Sequence, residues 1–195
     1  NKLIRSEELD NAGWGKSGAT IVANATLAPD GIATADTIVE TASNAFHVVS
    51  QYVSGITAGV PVMASGHLKA AGRSRLRIQT DTSPNNGTAD FDLGTGTIFG
   101  TTGIASAPRL IPLGNGWWRF AVLWTPTGSV ALGIKLILAA GSFGIAYAGD
   151  GVSGMHAWGF MLDPSGQLND YVRTGNVAGP GTRVLRFASG RGRMT

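Results

Sequence analysis

The sequence of 195 residues contains no cysteine. This absence excludes disulfide scaffolds, thiolate zinc sites and cysteine nucleophiles. Charge is also scarce, because charged residues make up 14% of the chain against about 25% in ordinary soluble domains. No uninterrupted apolar run approaches the roughly 20 residues that span a bilayer, so we expect no membrane insertion. Glycine is abundant, with 29 residues, and this abundance indicates many turns.

The apolar fraction of 43% predicts a folded core, and the length predicts one domain. Short apolar runs recur between clusters of Gly, Pro, Asn, Asp and Ser, and no window carries a sustained helical stripe. This pattern is typical of an all-β domain, and we predict a two-sheet antiparallel β-sandwich of jelly-roll type. The predicted strands are residues 19–23, 33–40, 46–53, 60–69, 74–80, 89–93, 97–100, 109–112, 117–125, 129–139, 155–162 and 168–172.

Strand alternation separates a buried face from an exposed one. In the strand that begins at Trp117, every second residue is large and apolar, so Trp117 and Arg119 are expected to face outward. The buried rows are Trp118, Phe120, Val122 and Trp124; Leu76 and Ile78; Val130, Leu132, Ile134, Leu136 and Leu138; and Trp158, Phe160 and Leu162. Arg75, Arg77 and Gln79 lie on the face opposite Leu76 and Ile78.

The outward-facing planar side chains form a candidate glycan site. Sugar rings stack on aromatic rings, and their hydroxyl groups pair with polar side chains such as Arg and Gln. The predicted ligand-binding residues are Trp117, Arg119, Arg75, Arg77, Gln79 and Tyr147, with Tyr171 as a secondary candidate. In the alternative interpretation, a loop or a partner subunit covers Trp117 and the arginines form ordinary ion pairs.

Basic residues concentrate at the end of the chain. Five of the 15 basic residues follow residue 172, where no acidic residue occurs, which leaves ten basic against twelve acidic residues before it. We therefore predict a sandwich at residues 1–172 and a basic tail at 173–195 that docks on a protein partner. The docking residues are Arg183, Arg186, Arg191 and Arg193. Nucleic acid is not expected, since a basic stretch this poor in aromatic residues makes a poor stacking groove.

Several segments resemble catalytic motifs, but each lacks a required residue. Gly15-Lys16-Ser17 lacks the earlier glycine of a phosphate-binding loop, and the segment at 151–154 lacks the last glycine of a nucleophile elbow. The three histidines have no second ligand at metal-binding spacing. We therefore expect no enzyme. The possibility of a carboxylate pair that hydrolyses polysaccharide stays open, because spacing in the sequence cannot show the distance between two carboxylates in the fold. With no initiating Met and no signal-peptide pattern, we expect a processed chain or a fragment.

Several segments, taken in order, resemble a jelly-roll domain that recurs in tailed-phage and prophage virion proteins. They are NKLIRSEELDNAGW at 1–14, APDG at 28–31 with TAD at 34–36, KAAGRS at 69–74, LGNGWWR at 113–119, and YAGDG at 147–151 leading to AWG at 157–159. The likeness covers about residues 1–172. Such domains are similar to carbohydrate-binding modules and lectin-like sandwiches, and they belong to tail fibres, tail spikes and capsid decorations.

The resemblance implies a non-enzymatic protein on the surface of a phage particle that binds host-surface glycan. It also implies other virion proteins as partners and a homo-oligomer, with a trimer expected. A purely structural capsid or tail protein is the alternative, and a polysaccharide depolymerase is a lesser one. We expect no cofactor. A structural calcium ion held by Glu8 and Asp163 stays open, because the chain reads Phe160-Met161-Leu162-Asp163 where relatives carry a Gln-Leu-Glu stretch.

Overall fold

A computed structural model describes residues 1–179, and β-strands form the regular structure of this part of the chain. The strands are β1 (Gly15–Ser17), β2 (Ala19–Thr26), β3 (Ala35–Glu40), β4 (Asn44–Phe46), β5 (Val48–Val53), β6 (Val62–Ala71), β7 (Arg75–Thr82), β8 (Asn85–Asp92), β9 (Thr97–Gly103), β10 (Ala105–Gly114), β11 (Trp117–Trp124), β12 (Leu132–Ala139), β13 (Ala146–Ala148) and β14 (Gly154–Asp163). Within residues 1–179, no helix is long and apolar enough to cross a membrane.

Two six-stranded sheets contain most of these strands. Sheet A has the order β1-β5-β12-β7-β8-β9, and sheet B has the order β10-β11-β6-β14-β3-β2. Neighbouring strands are antiparallel throughout both sheets. The short strands β4 and β13 pair with each other in a separate two-stranded sheet. The predicted all-β, two-sheet antiparallel sandwich is therefore confirmed.

Most predicted strands are present, and the exceptions have a physical reason. Strands β1, β4 and β13 have three residues each, which is too short for alternation to give a signal. The predicted strand at 168–172 is wrong, because this segment forms no regular strand. Its Tyr171 instead packs into an apolar cluster on the outer face of sheet B.

The main core lies between the two sheets and follows the predicted alternation. Leu76 and Ile78 of β7 are fully buried, as are Phe120, Val122 and Trp124 of β11. Trp118 is half-buried and packs against the same core. The row from Leu132 to Leu138 on β12 is buried as well, whereas Val130 precedes the strand and is exposed. Alternation thus gives the inner face correctly wherever a strand is regular.

A bulge in β14 breaks the alternation that sequence reasoning assumed for Trp158, Phe160 and Leu162. Between Trp158 and Met161 the register with β6 shifts, and Gly159 has a positive φ of 62°, which favours glycine. Phe160 and Leu162 therefore face the main core, whereas Trp158 points to the outer face of sheet B. The prediction of one buried row is wrong because it assumed an unbroken strand.

Trp158 belongs to a second apolar cluster on the outer face of sheet B. Its members are Ala28, Ala35, Trp117, Trp158, Met161 and Tyr171. The Trp158 and Tyr171 rings lie 4.8 Å apart, and the Trp158 indole N–H donates to Thr34 Oγ1 over 3.0 Å. The segment that follows β14 thus covers part of this face and makes it a core rather than a surface.

The described end of the chain packs against its beginning. The Thr174 side chain is buried and donates to the Leu3 carbonyl over 2.8 Å, and the Thr174 amide donates to Ser6 Oγ over 2.9 Å. The Gly179 amide donates to the Asn1 carbonyl over 3.0 Å. The predicted boundary at residue 172 therefore lies inside packed structure, because these contacts close the sandwich at its N-terminal segment.

Candidate functional site

The outer face of sheet A carries a continuous polar row across its strands. Register places Ser50 of β5 opposite Lys135 of β12, and Lys135 opposite Gln79 of β7. Gln79 in turn lies opposite Thr88 of β8, which lies opposite Thr102 of β9. The residues on either side of Ser50, Lys135 and Gln79 on each strand are buried, so this row faces outward.

Tyr52 lies at one end of this face and packs over the backbone of Gly133. These residues are opposite each other in the β5–β12 pair, and a Cβ atom at Gly133 would lie 2.6 Å from Tyr52 Cε1. Glycine is therefore required for the ring to lie there. The Tyr52 side chain remains 53% exposed, and Lys135 Nζ is 5.9 Å from the ring centroid. The ring thus offers a fixed aromatic surface to a ligand.

A groove of about 370 Å³ lies on this face next to Ser50, and Tyr52 lies just outside its lining. Its lining includes the exposed ring of Phe46, the side chains of Ser50, Gln79 and Lys135, and Ile137 of β12. Within residues 1–179, the Gln79 amide and the Ser50 hydroxyl make no hydrogen bond to another side chain or to the backbone. The groove therefore combines an apolar side with polar groups that are free to bind a ligand.

A hydrogen-bonded network holds the β4–β13 strand pair, whose strand β4 supplies Phe46 to the groove. The buried Glu40 carboxylate accepts two hydrogen bonds from Arg73, of 2.7 and 2.6 Å, and one from the Tyr147 hydroxyl of 2.6 Å. Burial alone would raise the pKa of Glu40, but these hydrogen bonds outweigh it and lower that pKa. The Tyr147 ring packs 4.5 Å from His47.

Arg75 and Arg77 lie on the predicted face of β7, but they form ion pairs. Arg77 Nε and Nη2 donate to the two carboxylate oxygens of Asp90 over 2.7 and 2.8 Å, and Arg75 Nε donates to Asp92 over 2.9 Å. Arg75 also lies over the Phe143 ring, 5.6 Å from its centroid. Both guanidinium groups are therefore held in balanced charge pairs, and neither lines the groove.

Trp117 and Arg119 do not share a surface with Arg75, Arg77 and Gln79. They belong to β11 in sheet B, whereas β7 belongs to sheet A, so the expected single platform is wrong. Trp117 does lie on the outer face, but it is only 5% exposed, because neighbouring loops cover it. The Arg119 guanidinium donates to the Asn169 carbonyl over 2.6 Å, and burial lowers its pKa.

The two tyrosines predicted from the sequence have packing roles. Tyr147 is half-buried and bonded to Glu40, and Arg73 lies 5.3 Å from its ring centroid. Tyr171 is fully buried, and its hydroxyl lies 2.6 Å from Ser6 Oγ. Tyr147 therefore positions the wall of the groove without lining it, and Tyr171 fills the second cluster.

Glu8 and Asp163, the open calcium candidates, have other partners. Glu8 accepts from Arg5 over 2.6 Å, and Asp163 accepts from the Asn169 amide over 2.9 Å. In the part of the chain that the structure describes, no three metal-ligating side chains gather in one place.

The docking arginines of the tail, at 183, 186, 191 and 193, lie outside the described residues. Their role stays a prediction. Arg173, which precedes them, is described and lies 3.3 Å from Glu7 across an ion pair. This first arginine of the predicted tail therefore binds the sandwich itself.

Sequence reasoning missed Tyr52, Lys135, Asp81 and Phe46. The signal for Tyr52 was present, because Val49, Gln51 and Val53 are buried and the residues between them face outward. Lys135 interrupts an apolar strand at an outward position in the same way. What the sequence does not indicate is that β5 and β12 are neighbours, which brings Tyr52 beside Gly133 and Lys135.

No protein-family model and no curated protein matches this sequence. Among solved structures, TmCBM61 in complex with β-1,4-galactotriose matches with a TM-score of 0.50 at 13% identity, over 83% of this chain and 97% of that one. The enzymatically active domain of bacteriophage CBA120 tailspike protein 4 matches with a TM-score of 0.49 at 14% identity, over 81% of this chain.

This chain spans 20% of the tailspike chain that it matches. A putative sugar binding protein from Bacteroides thetaiotaomicron matches with a TM-score of 0.45 at 10% identity, over 84% of this chain and 99% of that one. At such identities the likeness concerns architecture. The chain has the jelly-roll β-sandwich fold of carbohydrate-binding modules.

Proposed function

We propose that this chain is a non-enzymatic phage virion protein that binds host-surface glycan on the outer face of sheet A. The observation that carries the proposal is the Tyr52 ring, which packs over Gly133 beside the free polar groups of Ser50 and Gln79. A sugar ring needs an aromatic surface for its C–H face and polar groups for its hydroxyl edge. This face offers both, with the polar groups in the groove and the Tyr52 ring on the same face next to it.

The surface needs little rearrangement to accept a ligand. The antiparallel register fixes Ser50, Lys135 and Gln79 in one row, and the backbone of Gly133 supports the Tyr52 ring. Because these backbone positions are fixed before a ligand binds, only side-chain conformational entropy is lost on binding. The rigid sheet therefore favours affinity even for a small contact area.

Charge on this face is balanced, which favours a neutral sugar. Lys135 pairs with Asp81, and Arg77 pairs with Asp90. Such pairs still donate and accept hydrogen bonds, but they present no net charge to a ligand. We therefore expect the groove to prefer glycans whose contacting units are uncharged.

The same pairs support a non-enzymatic role. Glycoside hydrolysis needs a carboxylic acid whose pKa is raised, together with a second carboxylate at a suitable distance. Burial alone would raise the pKa of Asp92, but hydrogen bonds, chiefly from Arg75, lower that pKa instead. Release of reducing ends from a bound polysaccharide tests this directly, and we expect none above the rate without protein.

The virion assignment rests on the order of segments shared with tailed-phage domains. It implies other virion proteins as partners, a position on the particle surface and a homo-oligomer, with a trimer expected. The low charge of the chain suits large interfaces between subunits. Light scattering of the purified protein measures the mass, and a monomer at micromolar concentration would contradict the expected oligomer.

A glycan array followed by calorimetry tests the binding site. Tyr52→Ala removes the aromatic surface, and Gly133→Ala displaces the ring without deleting it, so we expect each to weaken binding at least about tenfold. Tyr52→Phe keeps the ring and should retain most of the affinity. Val22→Ala is a matched control, because Val22 is 52% exposed on an edge strand of sheet B.

Two results would contradict the proposal. If the protein binds no glycan and no host cell, the purely structural role replaces it. If Tyr52→Ala and Gly133→Ala bind as well as the unmodified protein, glycan binds somewhere other than this groove.

A further inference from the structure

The outer face of sheet B stays open at the end where β11 begins, and a cleft forms there. Lys69 of β6 lies directly opposite Trp117 of β11 and opposite His156 of β14. The loop after β2 and the turn between β10 and β11 enclose a cleft of about 320 Å³. Its lining includes Lys69, Trp117, Leu113 and Asn115.

Lys69 is a half-buried cation without an acidic partner. In residues 1–179, no carboxylate lies within ion-pair distance of Lys69, whereas Lys135 and Arg77 on sheet A each have one. The neighbouring group on the sheet is His156, whose Nδ1 lies 2.7 Å from Thr37 Oγ1. The positive charge at Lys69 is thus left for a ligand to balance.

The same cleft has an apolar side. The Trp117 side chain borders it and packs 6.5 Å from the His156 ring, and Leu113 and the exposed Leu27 line it as well. Its volume lies at the lower end of the roughly 300–1,000 Å³ of small-ligand pockets. A fitting ligand is therefore small, with an apolar ring face and a negative charge at one edge.

We propose that this cleft is a second saccharide site, which binds a sugar that carries a carboxylate. The carboxylate contacts the Lys69 ammonium, the ring lies against Leu27 and Leu113 at the small accessible edge of Trp117, and Asn115 binds a hydroxyl group. The inference rests on the proposed function only in taking a sugar as the ligand. The groove on sheet A, with balanced charges, and this cleft, with an unbalanced one, then select different units of a glycan.

Two probes that differ at one carbon test the charge selectivity. Methyl glucuronide carries a carboxylate where methyl glucoside carries a hydroxymethyl group. The indole N–H resonance of Trp117 reports on the cleft in a ¹⁵N-labelled protein, and Trp117→Phe assigns it among the five tryptophans. We expect methyl glucuronide to shift this resonance at millimolar concentration, and methyl glucoside to shift it at least about tenfold less effectively.

Variants at Lys69 separate charge from shape. Lys69→Gln should weaken the binding of methyl glucuronide about tenfold, and Lys69→Arg should retain most of the affinity for it. Spectral dispersion of both variants confirms their fold. Equal affinity in Lys69→Gln, no shift with methyl glucuronide, or an equal shift with methyl glucoside would each overturn the inference. An equal shift with sodium acetate would show a general anion site and overturn the assignment to a sugar.

Tyr52→Ala, measured in parallel, keeps this inference distinct from the groove. If Tyr52→Ala no longer binds neutral glycan but still binds methyl glucuronide, both proposals hold. If neutral glycan never binds but methyl glucuronide shifts Trp117, the cleft stands and the groove fails.

Discussion

The outer faces of the two sheets begin from similar sequence patterns and end in different structures. On sheet A, the outward side chains of β5, β7 and β12 remain accessible in a groove beside Tyr52. On sheet B, the outward residues Trp117 and Trp158 are buried in a second cluster. An aromatic residue beside an arginine at outward-facing positions is therefore not enough to identify a binding surface on either sheet.

The difference arises from the segments of the chain that pack against each face. The segment after β14 crosses sheet B and places Tyr171 against Trp158, 4.8 Å away, and Thr174 against the N-terminal segment. Sheet A instead has the β4–β13 strand pair at its border, where Glu40 and Arg73 hold it. Strand alternation decides which face a residue occupies, and distant segments decide whether that face is a surface or a core.

The largest expected effect is on stability and distinguishes the two faces directly. Trp158→Ala should cost about 3–5 kcal/mol in the free energy of unfolding, because it empties a fully buried site. Tyr52→Ala removes an exposed ring and should cost less than about 1 kcal/mol. Chemical denaturation measures both. Similar losses of unfolding free energy in the two variants would show that the two outer faces are packed to the same extent.

Glu40→Gln tests the support of the groove. The substitution removes the buried carboxylate that Arg73 contacts at 2.6 Å and leaves it only Asp150, at 3.6 Å, and we expect a loss of about 3 kcal/mol in unfolding free energy. Because the network anchors the β4–β13 strand pair that carries Phe46, glycan binding at the groove should weaken as well. Tyr147→Phe is the milder companion, since it removes one hydrogen bond to Glu40. Unchanged stability in Glu40→Gln would contradict this role.

His67 should make the covered face sensitive to acid. Burial, with a contribution from Arg119, lowers the pKa of His67 from 6.5 to about 3. Between these values the unfolded chain binds more protons than the folded one, so stability falls as the pH drops below 6.5. We expect a loss of about 2 kcal/mol between pH 7 and pH 5. Unfolding curves at both values measure it.

The control for this pH dependence is a second histidine. His67→Gln should remove most of the loss between pH 7 and pH 5, whereas His156→Gln, at a partly exposed site, should keep most of it. A loss that is the same in His67→Gln and the unmodified protein would show that other groups cause it.

The smallest expected effect concerns the end of the covering segment. Thr174→Val keeps the shape of the side chain but removes the hydrogen bond to the Leu3 carbonyl, at a cost of about 1–2 kcal/mol. The same substitution at Thr102, an exposed residue on an edge strand whose hydroxyl contacts Thr88, should cost less than about 0.5 kcal/mol. Equal effects would place residue 174 outside the packed sandwich, as the sequence first indicated.

Local sequence signals were sufficient to predict the fold class and the inner faces. The alternation in β7 correctly buries Leu76 and Ile78, and that in β11 buries Phe120 and Trp124. It also put Gln79 on the face that carries the groove. These successes share a cause, because each depends only on period-two geometry within one regular strand.

The failures depend on contacts between residues far apart in the sequence. The position of Trp158 depends on a bulge at Gly159, and the burial of Trp117 depends on loops that fold over sheet B. The groove exists because β12 lies between β5 and β7, a strand order that no single segment specifies. Of the six ligand-binding residues predicted from the sequence, Gln79 alone therefore lines the groove, and its use by a glycan stays a prediction.

Chemical-shift mapping with a neutral oligosaccharide selected on the array tests the central claim most directly. The account predicts that the perturbed amides cluster on β5, β7 and β12 around Ser50, Gln79 and Lys135, and that the Arg119 region stays unchanged. Perturbations centred on Arg119 and Asn169, with none on those three strands, would contradict it.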